Sequence, residues 1–204
     1  MPASKIQKYI AGGVMYILLF AGGSEVIGGG DNDNICGGED RWQQKVLIDD
    51  EADSINTKAK ETTIALLTAI NTTIPANKFA NDKPRMNIEK QVYTLKHVYI
   101  TDVLRENDND LHLVIEDGKG HHMIAEIPDP TCRDAKKSDW SGDIEQSRNE
   151  MLKHANNYRH FMFTITGVLF VDKAHGQTGR ADNNVEIHPI LKLTTEKQIN
   201  PLLK

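Results

Sequence analysis

The order of apolar segments between Gln91 and Glu196 constrains the fold of this chain more than any other feature. Three strand-like segments come first, a helix-like segment follows, and two more strand-like segments complete the series. The predicted strands are Val92–Leu104, Leu111–Glu116, His122–Ile127, Phe161–Val171 and Val185–Thr194. The helix is predicted around Asp139–Tyr158, where apolar residues recur at spacings of three and four.

A helix between the third and fourth of five strands is typical of the OB-fold, a small Greek-key barrel. We therefore predict a mainly β (α+β) fold in which residues 91–196 form an OB-like five-stranded β-barrel domain. Alternation supports this, since Leu111, Leu113 and Ile115 fall on one side of their strand and His112 falls on the other. Barrels of this kind bind oligonucleotides, oligosaccharides or proteins, so the fold narrows the function without fixing it.

The N-terminus has the pattern of an export leader. Residues 1–23 combine Lys5 and Lys8 with a short apolar stretch, which is typical of a signal peptide or N-terminal anchor. That stretch is shorter than the roughly 20 apolar residues that a membrane span needs. We expect an exported protein, periplasmic or extracellular, that contacts a membrane only if the leader is not cleaved.

Two further segments precede the barrel. Residues 24–40 are rich in Gly, Asn and Asp and are predicted to form a flexible linker. Residues 41–90 are predicted to form an N-terminal helical extension, with a helix over Ser54–Asn71. Before that helix, Arg41–Ile48 is expected to form a short strand or turn that packs Trp42 onto the domain.

The two cysteines fit an oxidising compartment. Cys36 and Cys132 have neither zinc-finger spacing nor the spacing of a redox motif, and a pair in an exported protein usually forms one structural disulfide. Such a bond would pin the N-terminal segment to the barrel and stabilise the protein by roughly 3–4 kcal/mol.

The formal net charge of −5 disfavours one class of partner, because nucleic-acid binding needs a surface rich in Lys and Arg. Nucleic acid is therefore an unlikely partner for this chain, although a local basic groove stays possible. The expected partner is a ligand or protein that the sequence does not identify.

The connection between the last two predicted strands holds the densest set of site-like residues. His175, Glu186 and His188 are candidate metal ligands, with His112 and Glu126 as possible additional ligands. Residues two apart on a strand lie about 6.6–7 Å apart on one face, so both side chains could reach one ion. Imidazole and carboxylate groups together suit a divalent transition metal, the one cofactor that the sequence suggests.

Two other interpretations of these residues stay open. The loop could be a structural element that hydrogen bonds hold together, with Glu186 and His188 on the solvent face. Alternatively, the same groups could act as a general acid and base without a metal. No catalytic residue is assigned, because the sequence lacks the Walker A, G-x-S-x-G and H-E-x-x-H motifs. The acidic stretch Asn107–Asp110 is interpreted as a turn before the second strand.

The chain resembles a group of bacterial hypothetical proteins that mostly carry export leaders. The most specific matching segments are His175-Gly-Gln-Thr-Gly179 and Asn184-Val-Glu-Ile-His-Pro-Ile-Leu191. The segments around Cys36 and Cys132 match as well, and the resemblance extends to Leu193. It implies that the polar candidate positions belong to the group's pattern, and it implies no mechanism.

Three functions follow as expectations. The favoured one is binding of an extracellular or periplasmic ligand through the polar outer face of the barrel and the loop between its fourth and fifth strands. One alternative is a metal-dependent hydrolase, for example of phosphodiesters, that uses His175, Glu186 and His188. The other is a structural or assembly module.

Overall fold

The computed structural model describes residues 36–37, 41–72, 84–173 and 176–199. The predicted leader, His175 and all of the predicted linker except Cys36 and Gly37 lie outside these residues. The described residues belong to one compact unit, Asp33–Lys204. None of the helices in these ranges is long and apolar enough to span a membrane.

The described residues form six strands and three α-helices. The helices are α1 (Trp42–Lys45), α2 (Ile64–Thr68) and α3 (Ser141–Lys153). The strands are β1 (Asn56–Thr62), β2 (Gln91–Arg105), β3 (Leu111–Glu116), β4 (His122–Ile127), β5 (Phe161–Val171) and β6 (Val185–Gln198).

Five of the strands close into a barrel. They follow the order β2, β3, β4, β6 and β5, and β5 pairs back onto β2. β4 and β6 are parallel, whereas the other barrel neighbours are antiparallel. With α3 between the third and fourth barrel strands, this is the OB-like architecture that the sequence predicted. β1 adds a parallel strand to β2 outside the barrel.

The predicted boundaries of the barrel elements agree well with the structure. β3, β4 and β5 begin and end at the predicted residues, whereas β2 and β6 extend further. Helix α3 is shorter than the predicted segment, and it buries Ile144 and Met151 in the core. Leu152, the next residue, is 40% exposed.

The prediction of a helix over Ser54–Asn71 is wrong. The first half of this segment is β1, which pairs with β2, and only Ile64–Thr68 is helical. Thr63 begins this short helix, because its hydroxyl accepts a hydrogen bond from the Leu66 backbone N–H at 3.2 Å. Pairing with a long barrel strand has overridden the local helical pattern.

The segment at residues 41–48 was expected to form a short strand or turn. It forms the four-residue helix α1 and a turn after it, and Trp42 is buried as expected. Trp42 packs with Val46, Cys132 and Ala135 in a small apolar cluster of its own.

The barrel interior requires one close approach between β5 and β6. A Cβ on Gly167 would lie 2.4 Å from both the Ile187 side chain and the Pro189 carbonyl oxygen. The register of the two strands shifts on both sides of this glycine. Gly167 therefore lets β6 cross β5 closely at the point where β6 carries its polar residues.

Candidate functional site

Four polar side chains project from three adjacent strands, on the side away from the barrel interior. They are His112 on β3, Glu126 on β4, and Glu186 and His188 on β6. Their neighbours along each strand belong to the apolar core, so the alternation of the strands turns these four outward. They are nevertheless only 0–2% exposed. We call this surface the covered face.

The loop between β5 and β6 covers part of this face. The His112 Nε2–H group donates to the Thr178 carbonyl oxygen at 2.8 Å. Gly179 adopts a φ of +77°, and a Cβ there would lie 2.5 Å from the Val114 side chain. Since Val114 lies two residues beyond His112 on β3, the loop backbone is packed directly against the barrel wall.

Helix α1 covers the rest of the face. Lys45 Nζ lies 3.6 Å from Asp172 Oδ2, at the end of β5. The Arg41 guanidinium makes two hydrogen bonds of 2.7 Å to the Glu89 carboxylate and lies 4.8 Å from the centre of the Phe170 ring. Both side chains of the Arg41–Glu89 pair are buried, at 3% and 0% exposed.

The Cys36–Cys132 disulfide joins the start of this covering segment to the loop after β4. The bond confirms the predicted pairing, and it fixes the N-terminal segment to the barrel as expected. The expected solvent-facing position of Glu186 and His188 is wrong, because this segment and the loop between β5 and β6 shield them from water.

Within the covered face, Glu126 links two histidines. His112 Nδ1 donates to Glu126 Oε1 at 2.9 Å and lies 3.1 Å from Glu106 Oε1. His188 Nδ1 donates to Glu126 Oε2 at 2.9 Å and to Glu186 Oε1 at 3.1 Å. Both ring nitrogens of His112 therefore donate to oxygen, so this imidazole is held as a cation.

The second ring nitrogen of His188 has a different environment. His188 Nε2 lies 3.6 Å from Asp110 Oδ2, and neither atom has a hydrogen-bond partner among the described residues. Both residues are 0% exposed. The other Asp110 oxygen accepts a hydrogen bond from the Asp129 backbone N–H at 3.0 Å, which fixes the carboxylate in place.

Burial and neighbouring charges shift the protonation of these groups. Burial, together with the nearby carboxylates of Glu126 and Asp172, raises the pKa of Glu186 to about 8. Burial by itself would lower the pKa of His112, but hydrogen bonds to Glu106 and Glu126 raise it to about 10. In the same way, the carboxylates around His188 outweigh its burial and raise its pKa well above 6.5.

Glu126 and Lys45 complete this balance of charge. Burial by itself would raise the pKa of Glu126, but the charge of His188 and the hydrogen bond from His112 hold that pKa well below 4.5. Burial by itself would lower the pKa of Lys45, but Glu186 and Asp172 raise it above 10.5. The covered face therefore holds several charges that only their neighbours compensate.

The sequence grouped most of these residues and missed others. It placed His112, Glu126, Glu186 and His188 in one candidate set, and the structure brings these four together. His175 lies outside the described residues. Asp110, which was interpreted as part of a turn before the second strand, and Lys45 were not among the candidates. The sequence signal for Asp110 was its position directly before β3, which carries His112.

Two overlapping groups have the composition of a metal site. One contains Glu106, His112 and Glu126, and the other contains Asp110, Glu126 and His188. In each group, one potential ligand atom from every residue lies within 4.8 Å of the others. Such mixed nitrogen and oxygen sets suit divalent transition metals.

The opposite side of the barrel presents a solvent-facing surface, formed by β2, β5 and β6. Two rows of paired residues cross these strands: Thr94, Thr166 and Lys192 form one, and Tyr99, Met162 and Lys197 form the other. All six are half-buried or exposed. We call this surface the open face.

The comparisons with known proteins add little to this description. No protein-family model matches the chain, and no curated protein matches its sequence. A solved structure of the asparaginyl-tRNA synthetase of Entamoeba histolytica is similar over 72% of this chain, with a TM-score of 0.41 and 12% identity. The match covers 25% of the synthetase chain. The OB-like assignment therefore rests on the strand order and the position of the helix.

Proposed function

We propose that this chain is an exported, OB-like binding domain that takes an oligosaccharide ligand on its open face. The observation that carries the proposal is the contrast between the two sides of the barrel. The covered face is filled by the chain's own residues, whereas the open face presents hydroxyl, ammonium and aromatic groups in paired rows.

The composition of the open face supports a polar, uncharged or weakly acidic ligand. Thr94 Oγ1 and Thr166 Oγ1 hydrogen bond to each other at 2.9 Å, and Lys192 stands next to Thr166 in the register. Tyr99 and Met162 offer half-buried apolar surface on the same side. Oligosaccharides and oligonucleotides are both ligands of OB-folds, and the net charge of −5 disfavours the oligonucleotide.

The Cys36–Cys132 bond supports export, because disulfides persist in oxidising compartments. We also propose that the chain belongs to the group of exported bacterial proteins that it resembles, which supports the same compartment. A hydrolase receives less support, since Glu186 and His188 are 1% and 0% exposed and a substrate would have to displace the covering segment to reach them.

Binding to a panel of oligosaccharides, with single-stranded oligonucleotides as the competing class, tests the proposal. We expect an oligosaccharide to bind, and we expect a combined Thr166→Ala and Lys192→Ala variant to weaken that binding by at least tenfold. Lys136→Ala, at an exposed position in the segment between β4 and α3, is the matched control. Binding that the open-face variant leaves unchanged, or binding of oligonucleotides alone with steep salt dependence, would refute the proposal.

A further inference from the structure

We propose that the covered face holds a structural divalent transition-metal ion, bound by His188 Nε2, Asp110 Oδ2 and a carboxylate oxygen of Glu126. This assignment differs from the sequence prediction, which placed Glu186 and His175 among the ligands.

The two unpartnered atoms carry the argument. His188 Nε2 and Asp110 Oδ2 are fully buried, face each other at 3.6 Å and lack hydrogen-bond partners among the described residues. Buried polar atoms without partners are rare, because each loses its hydration on folding. A cation between the two atoms would compensate the buried carboxylate, and 3.6 Å is too long for a direct hydrogen bond from a protonated Nε2. A metal ion that displaces the Nε2 proton is such a cation.

The separation fits a metal ion. An ion about 2.1 Å from each atom would see ligands 3.6 Å apart at an angle of about 118°, near the tetrahedral value of about 109°. Glu126 belongs to the same group, in which one potential ligand atom from each residue lies within 4.8 Å of the others. To bind the ion, its carboxylate would have to give up the hydrogen bond from His188 Nδ1. Imidazole with carboxylates is a donor set for zinc and its neighbours.

Hydrogen bonds to the second polar atom of each side chain, Nδ1 of His188 and Oδ1 of Asp110, hold the two unpartnered atoms in position. His188 Nδ1–H donates to Glu186 as well as to Glu126, so Glu186 can keep this proton on Nδ1 while the ion replaces the proton on Nε2. Asp110 Oδ1 accepts from the Asp129 backbone N–H. A carboxylate on the far nitrogen of a histidine is the usual support for a metal-binding imidazole.

The alternative group around His112 does not fit as well. Both nitrogens of His112 already donate hydrogen bonds, to Glu126 and to the Thr178 carbonyl oxygen, so neither has a lone pair to offer. The complete burial of His188 and Asp110 indicates a closed, structural site rather than a catalytic one, which keeps an open position.

The test uses the full-length protein without an affinity tag, refolded with its disulfide intact in the presence of Zn²⁺ or Co²⁺. We expect one equivalent of zinc by elemental analysis and visible absorption bands from bound cobalt. Free zinc at 100 times its Kd should raise the Tm by about 5–10 °C.

Asp110→Asn is the decisive variant, because its amide N–H can donate to His188 Nε2 and satisfy both atoms without a metal. We expect it to fold while its zinc affinity falls by at least about 100-fold. Asp182→Asn, at an exposed loop position, is the matched control and should bind zinc like the parent.

Three results would overturn the proposal: a refolded parent that binds neither metal, an Asp110→Asn variant that binds zinc as tightly as the control, or a proton on His188 Nε2 in the zinc-loaded protein. Nitrogen NMR of the histidine side chains reports that proton directly and does not depend on how any variant folds.

Discussion

Replacing Arg41 with alanine should destabilise the protein by about 3–5 kcal/mol, because it leaves the Glu89 carboxylate buried without its cation. The side chains of this pair are 3% and 0% exposed, and two hydrogen bonds of 2.7 Å join them. The Arg41 guanidinium also lies 4.8 Å from the centre of the Phe170 ring, a contact worth about 0.5–2 kcal/mol. That contribution places the loss toward the upper end of the range.

Urea unfolding followed by tryptophan fluorescence measures this loss, since Trp42 directly follows Arg41. Lys153→Ala is the control. Its ion pair with Glu150 is 60% and 24% exposed, so its removal should cost less than about 1 kcal/mol. Glu89→Gln removes the uncompensated charge and should restore part of the stability of Arg41→Ala. The rescue is only partial, because the Met86 and Val171 backbone N–H groups donate to different Glu89 oxygens and glutamine keeps one acceptor. A loss below about 1 kcal/mol for Arg41→Ala would refute the reasoning.

Replacing Cys36 and Cys132 with alanine should lower the free energy of unfolding by about 3–4 kcal/mol, since the bond closes a loop with a sequence separation of 96. An unchanged urea midpoint would contradict this. Gly179→Ala should cost about 1–3 kcal/mol in thermal unfolding, because its φ is +77° and its Cβ would meet a valine of β3 at 2.5 Å. A gain in Tm would show that the loop is not packed as described. NMR titration should give Glu150 a pKa below 4.5, because Lys153 Nζ donates to its carboxylate at 2.9 Å. The small stabilisation that the Glu150–Lys153 pair gives to the folded protein is then present above pH 4.5 and is lost as the pH falls through the lowered pKa of Glu150. Lys153→Ala should raise that pKa, and no change would contradict the assignment.

The sequence predicted the barrel because its strands alternate strongly and the turns between them are short. β3, β4 and β5 were found to the residue, and the disulfide followed from the number and spacing of the cysteines. The helix over Ser54–Asn71 failed because β1 forms by pairing with a distant strand. Local periodicity contains no information about such a partner.

The sequence predicted which residues form most of the candidate site, but it did not predict that they are buried. The alternation of residues along β6 correctly predicted that Glu186 and His188 point away from the barrel core. In a barrel with an uncovered outer face, these side chains would be exposed to water. Their burial depends on α1 and on the loop between β5 and β6, which fold back over the strands from positions far apart in the sequence. Lys45 was missed for the same reason, since it lies on α1. Asp110 was missed because it was interpreted as part of the turn before β3.

The central claim is that the chain's own segments shield one side of the barrel from solvent, and chemical modification of histidines tests it most directly. Diethyl pyrocarbonate labels accessible imidazoles, and mass spectrometry locates the label. His97 and His121, whose side chains are 68% and 45% exposed, should react in the native protein. His112 and His188, at 1% and 0% exposed, should react only after denaturation. Labelling of native His188 at the rate of His97 would contradict the account.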